Sequence, residues 1–389
     1  MFENYHLKNL NFRIIIYVLI ISTIGVLLIY SATNNSSFYG GYYKRQIFGI
    51  CVGFFCMLVL TLVSYKFILK LWPLVYAIDL GLLILTFVKG TVHGGAKRWV
   101  NLPGIGSIQP SDFTKLAIVI CLAALIGYFA DKINKPFVWL LICLMVGPHI
   151  ALVFKQPDLS TTILMLGMVV LMLYVAKLSY KVFFVGIGLM IPVAGYFAYF
   201  LLSHSMDELT EMAKSQYQLK RILSFIWPTL FQDSIYQQQN SVMAIGSGGL
   251  FGKGLNTTTF ESVKNGNFIS ESHTDFIFTI AGEELGFVGC AILICLLLLL
   301  VLETLFIAKN ADSIQGRIIC VGFAAMYAIQ TFINISVATW IMPNTGLPLP
   351  FVSYGLSSII SMYMSVGIIL NVGLQRKVKE KENTVFSDL

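Results

Sequence analysis

Leu285-Gly286-Phe287-Val288-Gly289-Cys290-Ala291-Ile292-Leu293-Ile294-Cys295-Leu296-Leu297-Leu298-Leu299-Leu300-Val301-Leu302 runs for eighteen residues without a charged side chain. As a helix it would extend about 27 Å at 1.5 Å per residue, close to the roughly 30 Å of a bilayer's hydrocarbon core. It forms most of an apolar span at 276–308. Comparable spans recur at 12–31, 46–64, 72–90, 113–130, 136–154, 160–177, 182–202, 317–340 and 350–373. The 389 residues are 57% hydrophobic and 12% charged, against roughly 25% charged in soluble domains. The expected fold is therefore an all-α integral membrane protein with about ten transmembrane helices, read as one polytopic domain over 1–389. The first apolar run lacks a small-residue cleavage site and precedes many others, so it reads as a retained span.

An even number of spans places both termini on one side. Assigning the termini to the cytoplasm puts fourteen Lys and Arg there, against seven in the short outer segments. That bias orients the chain with both termini cytoplasmic. The net charge of +7 fits membrane orientation and anionic lipid headgroups, not nucleic acid. The seven cysteines all fall inside apolar runs without metal-site spacing, and they read as packing residues.

Two outer segments are too long to be plain connectors. Residues 90–112 carry Lys97-Arg98-Trp99 and Gln109-Pro110-Ser111-Asp112. Residues 203–275, the large outer loop between spans seven and eight, carry an amphipathic stretch from Asp207 to Trp227. A glycine-rich run from Ile245 to Gly254 follows. That run is not a phosphate loop: Ser247 stands where the first glycine is needed, and Gly254 follows Lys253 in place of Ser or Thr. It reads as a loop folded tightly against the bundle.

The polar residues at the outer boundary suggest the chemistry. Pro110 and Ser111 start a helix, which places Asp112 in its first turn, where the dipole favours a carboxylate. Lys115, three residues on, can pair with Asp112, either as an anchor or as a cation poised at the surface. Lys155 and Asp158 repeat that spacing. Arg45 and Arg98 lie on the same side, and such a set of cations suits an anionic headgroup such as a diphosphate. Asp275 stands where the long loop meets a span, followed by Phe276 and flanked further by Phe278. Partial desolvation there would make it a better base; a helix-capping role is the alternative. Glu283 and Glu284 lie about 12–14 Å further along a continuous helix. They read as buried acids that need partners in neighbouring helices. Asp79 and Glu303 are intramembrane acids with no obvious partner, and His149 reads as a packing residue.

Four separated motifs resemble the SEDS family (shape, elongation, division, sporulation), whose members include RodA and FtsW. They are Gly95-Ala96-Lys97-Arg98-Trp99 with Gln109 to Lys115; Gln156-Pro157-Asp158-Leu159; Ala244 to Gly254 leading to His273-Thr274-Asp275-Phe276-Ile277-Phe278 and Gly282 to Gly286; and Leu349-Pro350-Phe351-Val352-Ser353-Tyr354-Gly355. The resemblance implies a peptidoglycan glycosyltransferase that polymerises lipid II at the outer face of the bacterial cytoplasmic membrane, beside a class B penicillin-binding protein. It puts Asp275 at the position of the family's essential aspartate, with Arg45, Arg98, Gln109, Asp112, Lys115, Asp158 and Ser353 in or near the polar cavity. Asp112, Ser160 and Leu356 depart from the family's usual glutamate, glycine and glycine. Residues 255–270 look more like RodA than FtsW, which favours a role in cell shape and elongation over division or sporulation.

With one base and no covalent nucleophile nearby, direct displacement with inversion is expected. No ligand cluster demands a metal, although a divalent cation such as Mg or Mn could help hold the diphosphate. Two other classes compete. A flippase for lipid-linked precursors would use the same cations but bind near the midplane. A non-catalytic scaffold leaves Asp275 unexplained.

Overall fold

The computed structural model describes residues 7–33, 41–93, 96–102, 106–257, 268–269 and 272–376. Gly94 and Gly95, residues 258–267 and 270 of the RodA-like segment, Glu271, and Lys377, Lys379 and Lys381 lie outside the described residues.

The chain folds into α1 (Phe12–Thr33), α2 (Tyr42–Leu62), α3 (Tyr65–Lys70) and α4 (Trp72–Lys89), then a small sheet. It continues through α5 (Pro110–Tyr128), α6 (Pro136–Lys155), α7 (Leu159–Val175), α8 (Tyr180–Ser203), α9 (Met206–Ser215), α10 (Tyr217–Ile226) and α11 (Gln232–Ser247). The last three helices are α12 (Ile277–Asn310), α13 (Ile314–Ala338) and α14 (Leu356–Leu374). Among the described residues eight helices are long and apolar enough to cross a membrane. α7, apolar but 17 residues long, and α8, with 24 residues, complete the ten expected spans. This is an all-α integral membrane protein.

The centre of the bundle is α5, α13 and α14, whose apolar windows are 78%, 72% and 78% buried, against 17% for the peripheral α4. Peripheral helices turn Phe55, Leu74, Phe137 and Phe306 outward, as lipid-facing surfaces require. α2 packs closely along α14, where a β-carbon on Gly367 would stand 2.6 Å from the Met57 carbonyl oxygen. Such small residues let membrane helices approach.

The outer segment at 90–112 is not simply a loop. β1 (Thr91–His93), β2 (Ala96–Leu102) and β3 (Gly106–Ile108) form an antiparallel sheet in the order β1-β2-β3. Val100 is registered opposite Ile108 and Thr91 opposite Trp99. β-branched and aromatic residues favour such pairing. The sheet carries Arg98 on its central strand.

α12 is broken at Gly286, whose φ of 65° and ψ of −165° are non-helical. The break falls after Glu284, so the helical spacing from Asp275 to the two glutamates holds, but continuity beyond them does not. The glycine run fills the break. Phe287 and Val288 donate backbone N–H groups to Gly249 and Leu250 at 2.9 and 3.1 Å, and Lys253 and Gly254 donate to Glu283 and Glu284 at 3.0 Å each. A β-carbon on Gly252 would stand 2.2 Å from the Glu284 carbonyl oxygen, so only glycine fits. Backbone freed by a broken membrane helix must find partners within the protein, and this loop supplies them.

The buried acids are paired. Glu284 accepts from Ser31 of α1 at 2.5 Å, the helix partner expected for it, whereas Glu283 binds Lys253 of the glycine run at 2.9 Å and not a neighbouring helix. Asp79 and Glu303, for which the sequence offered no partner, have them in distant helices. Asp79 lies 3.2 Å from His149 Nε2 and accepts from Thr114 at 3.0 Å, so His149 is more than packing. Glu303 takes Arg13 at 3.1 Å and Asn11 at 2.8 Å.

Candidate active site

Asp275 sits in the turn just before α12, half-buried, with Phe276 and Phe278 buried beside it. The N-cap position belongs to Phe276, so Asp275 lies one residue outside the helix start. The turn is held from two sides. Asn334 of α13 donates its amide to the Asp275 carbonyl at 2.8 Å and to the Leu347 carbonyl at 2.7 Å. Ser353 donates its hydroxyl to the Thr274 carbonyl at 2.7 Å and accepts the Leu349 N–H at 2.7 Å. Tyr354 donates its N–H to the His273 carbonyl at 2.9 Å. Ser353, expected near the cavity, thus positions the Asp275 turn.

Two arginines lie near this turn. Arg45 is exposed, lies 5.8 Å from the centre of the Tyr42 ring and hydrogen-bonds Tyr354. Tyr42 in turn stacks on Tyr354 at 4.5 Å. Arg221, on α10, was missed by the sequence reading. Its Nη1 and the Asp275 Oδ2 both lie within 4 Å of the point where a Gly346 β-carbon would stand, the carboxylate oxygen at 3.0 Å. Gly346 has a φ of 75°, so glycine is required there both for conformation and for the approach of the carboxylate. The one signal for Arg221 in the sequence is its place in the amphipathic stretch from Asp207 to Trp227.

The other expected residues form a second network. Asp158 caps α7 by accepting the Thr161 N–H at 3.1 Å, and it accepts from Gln109 at 3.4 Å. Arg98 approaches its carboxylate to 4.0 Å and donates to the carbonyls of Gln156, at 3.0 Å, and Pro157. The spacing had suggested Lys155 for Asp158, but Lys155 is exposed and the caps and distant partners take the carboxylate instead. Asp112 and Lys115 pair at 2.8 Å, and the second Asp112 oxygen accepts from Ser357 at 2.8 Å. Lys115 is only 1% exposed, so the pair anchors α5 to α14 and does not leave a cation poised at the surface. Gln109 donates its backbone N–H to the same Ser357 at 3.3 Å. The sequence also passed over Gln46, which ties α2 to the carbonyl of Ser353 at 3.1 Å and the N–H of Gly355 at 3.2 Å.

The segment between α13 and α14 joins the two networks. It runs from Thr339 to Gly355, receives Ser160 on the Thr345 carbonyl at 2.5 Å, and holds the Asp275 turn at its other end. A small cleft opens beside it, with Gln218, Arg221, Asn344 and Thr345 in its walls. Among the described residues no group of three or more His, Cys, Asp or Glu side chains is arranged to hold a metal ion.

His273 gives this region a pH signature. Burial pushes its imidazole down from the ordinary 6.5 to about 4, because the ring is enclosed near Tyr42 and Tyr354. Between those values the folded protein stays neutral at His273 while the unfolded chain binds a proton, so stability falls as pH falls through that window. The melting temperature should drop between about pH 6.5 and 4, and His273→Phe should flatten that part of the profile. Equal slopes for both proteins would contradict the burial argument.

Comparison with known proteins agrees with the motifs. Residues 12–378 match the FtsW/RodA/SpoVE family model, described as cell cycle protein. A protein of Trichlorobacter lovleyi named probable peptidoglycan glycosyltransferase FtsW is 33% identical over 388 residues, covering 96% of each chain. A solved structure titled as the structural coordination of polymerization and crosslinking by a peptidoglycan synthase complex superposes with a TM-score of 0.75 at 26% identity, covering 93% of this chain and 97% of that one. The rod shape determining protein RodA of Thermus thermophilus superposes at 0.67, with 26% identity and coverage of 94% and 97%. Proteins named FtsW and RodA both match, so the matches show the family and do not select a branch. With nearly its whole length matched, this chain belongs to the FtsW/RodA/SpoVE family, the SEDS family that its four motifs resemble.

Proposed function

We propose that this chain is a peptidoglycan glycosyltransferase that polymerises lipid II at the outer face of the bacterial cytoplasmic membrane. The observation that carries the reading is the placement of the Asp275 carboxylate beside Gly346, with Arg221 near the same point and Arg45 bonded to Tyr354, whose ring lies against His273 of the same turn. An acceptor hydroxyl attacks the anomeric carbon of the donor sugar from the face opposite the diphosphate. Asp275 takes the hydroxyl proton, the carbon–oxygen bond to the diphosphate breaks, and the configuration inverts. Arg45 and Arg221 offset the charge that develops on the leaving group. Arg98 is engaged with Asp158 and the 156–157 carbonyls, and Lys115 with Asp112, so both act by shaping the site. A divalent cation, where one takes part, would be held chiefly by the diphosphate's own oxygens.

The working partner we propose is a class B penicillin-binding protein, supported by the likeness to a chain of a peptidoglycan synthase complex; membrane lipids surround the rest. The outer location of residues 203–275 and the cytoplasmic location of both termini follow from the charge bias. Glu211→Cys and Lys309→Cys, each in a cysteine-free background, test it: an impermeant thiol reagent should label the first in intact cells and not the second. The reverse labelling would overturn the orientation and the lipid II reading with it.

Purified protein in liposomes separates the enzyme from a flippase. Lipid II should become glycan polymer without any other polymerase present. Lipid II crossing the bilayer with no polymer formed would favour the transporter. Neither outcome with folded protein would favour the scaffold.

A further inference from the structure

Gln46, near the start of α2, is 1% exposed, and one stretch of backbone takes both ends of its amide. Its Nε2 donates to the Ser353 carbonyl at 3.1 Å, and its Oε1 accepts the Gly355 N–H at 3.2 Å. Backbone groups buried at the start of α14 are costly to leave unpaired, and pairing them is reason enough to bury an amide. The residue between them adds something more. Tyr354 receives a side-chain hydrogen bond from Arg45, the residue before Gln46, and its ring stacks on Tyr42 at the start of α2. Ser353, Tyr354 and Gly355 are thus each held by α2.

The same tripeptide holds the Asp275 turn. The Ser353 hydroxyl donates to the Thr274 carbonyl at 2.7 Å, and the Tyr354 N–H donates to the His273 carbonyl at 2.9 Å. Those carbonyls belong to the two residues just before Asp275. α2 is itself fixed against α14, since a β-carbon on Gly49 would stand 2.9 Å from side-chain atoms of both Ile359 and Leu356.

We infer that Gln46 and Tyr354 are positioning residues that keep the Arg45 guanidinium in one relation to the Asp275 turn. Gln46 fixes the tripeptide to α2, and the Tyr354 hydroxyl fixes Arg45 to the tripeptide. Arg45 is exposed, and an unheld arginine side chain has much rotamer freedom to lose. A cation stabilises developing charge best when it is held in place before the reaction, and a misplacement of about 1 Å can cost roughly 10²-fold. Both residues act through Arg45 and have no need to touch substrate. What Arg45 and Asp275 then do rests on the glycosyltransferase reading; the coupling itself rests on these hydrogen bonds.

Two measurements on the full chain test it. One is lipid II polymerisation in liposomes, and the other is NMR of protein carrying nitrogen-labelled arginine, with the Arg45 signal assigned by its loss in Arg45→Gln. Gln46→Leu and Tyr354→Phe should each lower turnover about tenfold, while the half-saturating lipid II concentration changes less than about twofold. In the Arg45→Gln background the same substitutions should cost less than about twofold further, because no guanidinium is left to position. The Arg45 Nε–H should report a more mobile side chain in both variants than in the wild type. Tyr354→Phe keeps the ring and the backbone bonds, so it carries the test should Gln46→Leu fail to fold. Residues that only stabilise the fold would lower turnover by the same factor in both backgrounds. That result, or Arg45 equally ordered in every folded protein, would overturn the inference and leave polymerisation by the wild type standing. No polymer from the wild type, with Arg45 loosened in the variants, would retain the coupling and remove the glycosyltransferase reading.

Discussion

Asp275→Asn is expected to lower lipid II polymerisation by roughly 10²–10⁴-fold, the usual contribution of a positioned base, while the melting temperature barely changes. The fold explains why the two readouts should separate. The turn is held by the Asp275 carbonyl, which accepts from Asn334, and by Ser353 on the Thr274 carbonyl. Neither bond involves the carboxylate. Asparagine keeps the shape at Gly346 and loses the ability to accept a proton. A capping role predicts the opposite pattern, because asparagine caps about as well as aspartate, and activity would survive. Polymer yield and melting temperature measured side by side decide between them. An active, well-folded Asn variant would remove the base assignment.

The second large effect is on stability. Lys115 is among the most deeply buried side chains, and its partner Asp112 is 5% exposed. Removing one member of such a pair strands a charge in a low-dielectric interior, which costs about 3–5 kcal/mol. Asp112→Ala should therefore lower the melting temperature sharply, and Lys115→Met should do so less, because Ser357 still donates to the remaining carboxylate. The double variant should cost less than the sum of the two, since neither charge is left alone. Strict additivity would show that the 2.8 Å contact contributes no coupling. Activity should follow the same order, because α5 also presents Gln109 and the Asp158 network.

Much of the architecture was legible without a structure. Hydropathy is local: an apolar run either is or is not long enough to cross the bilayer, and nine of the ten spans were read within about four residues of the observed helices; the last was begun at 350, six residues before Leu356, because the apolar residues there belong to the segment that holds the Asp275 turn. The Asp112–Lys115 pair was legible for the same reason, being three residues apart on one helix. The glycine run's failure as a phosphate loop was legible from Ser247 and Gly254 alone. The Asp275 position was marked by its junction between loop and span, and by the motif around it.

What the sequence could not reveal were pairings between elements. Lys155 and Asp158 have the same spacing as Asp112 and Lys115, yet Asp158 turns to its own helix start, to Gln109 and toward Arg98. Asp79 meets His149, 70 positions further along the chain, and Glu303 meets Arg13 near the other end of the chain. Arg221, Asn334 and Gly346 carry no local mark of their nearness to Asp275. Spans are decided by the solvent each residue must face, a property of a short window of sequence. A site at the outer end of a bundle is decided by which helices pack together, and only the tertiary structure brings Arg221 of α10, Gly346 of the α13–α14 segment and Asp275 together.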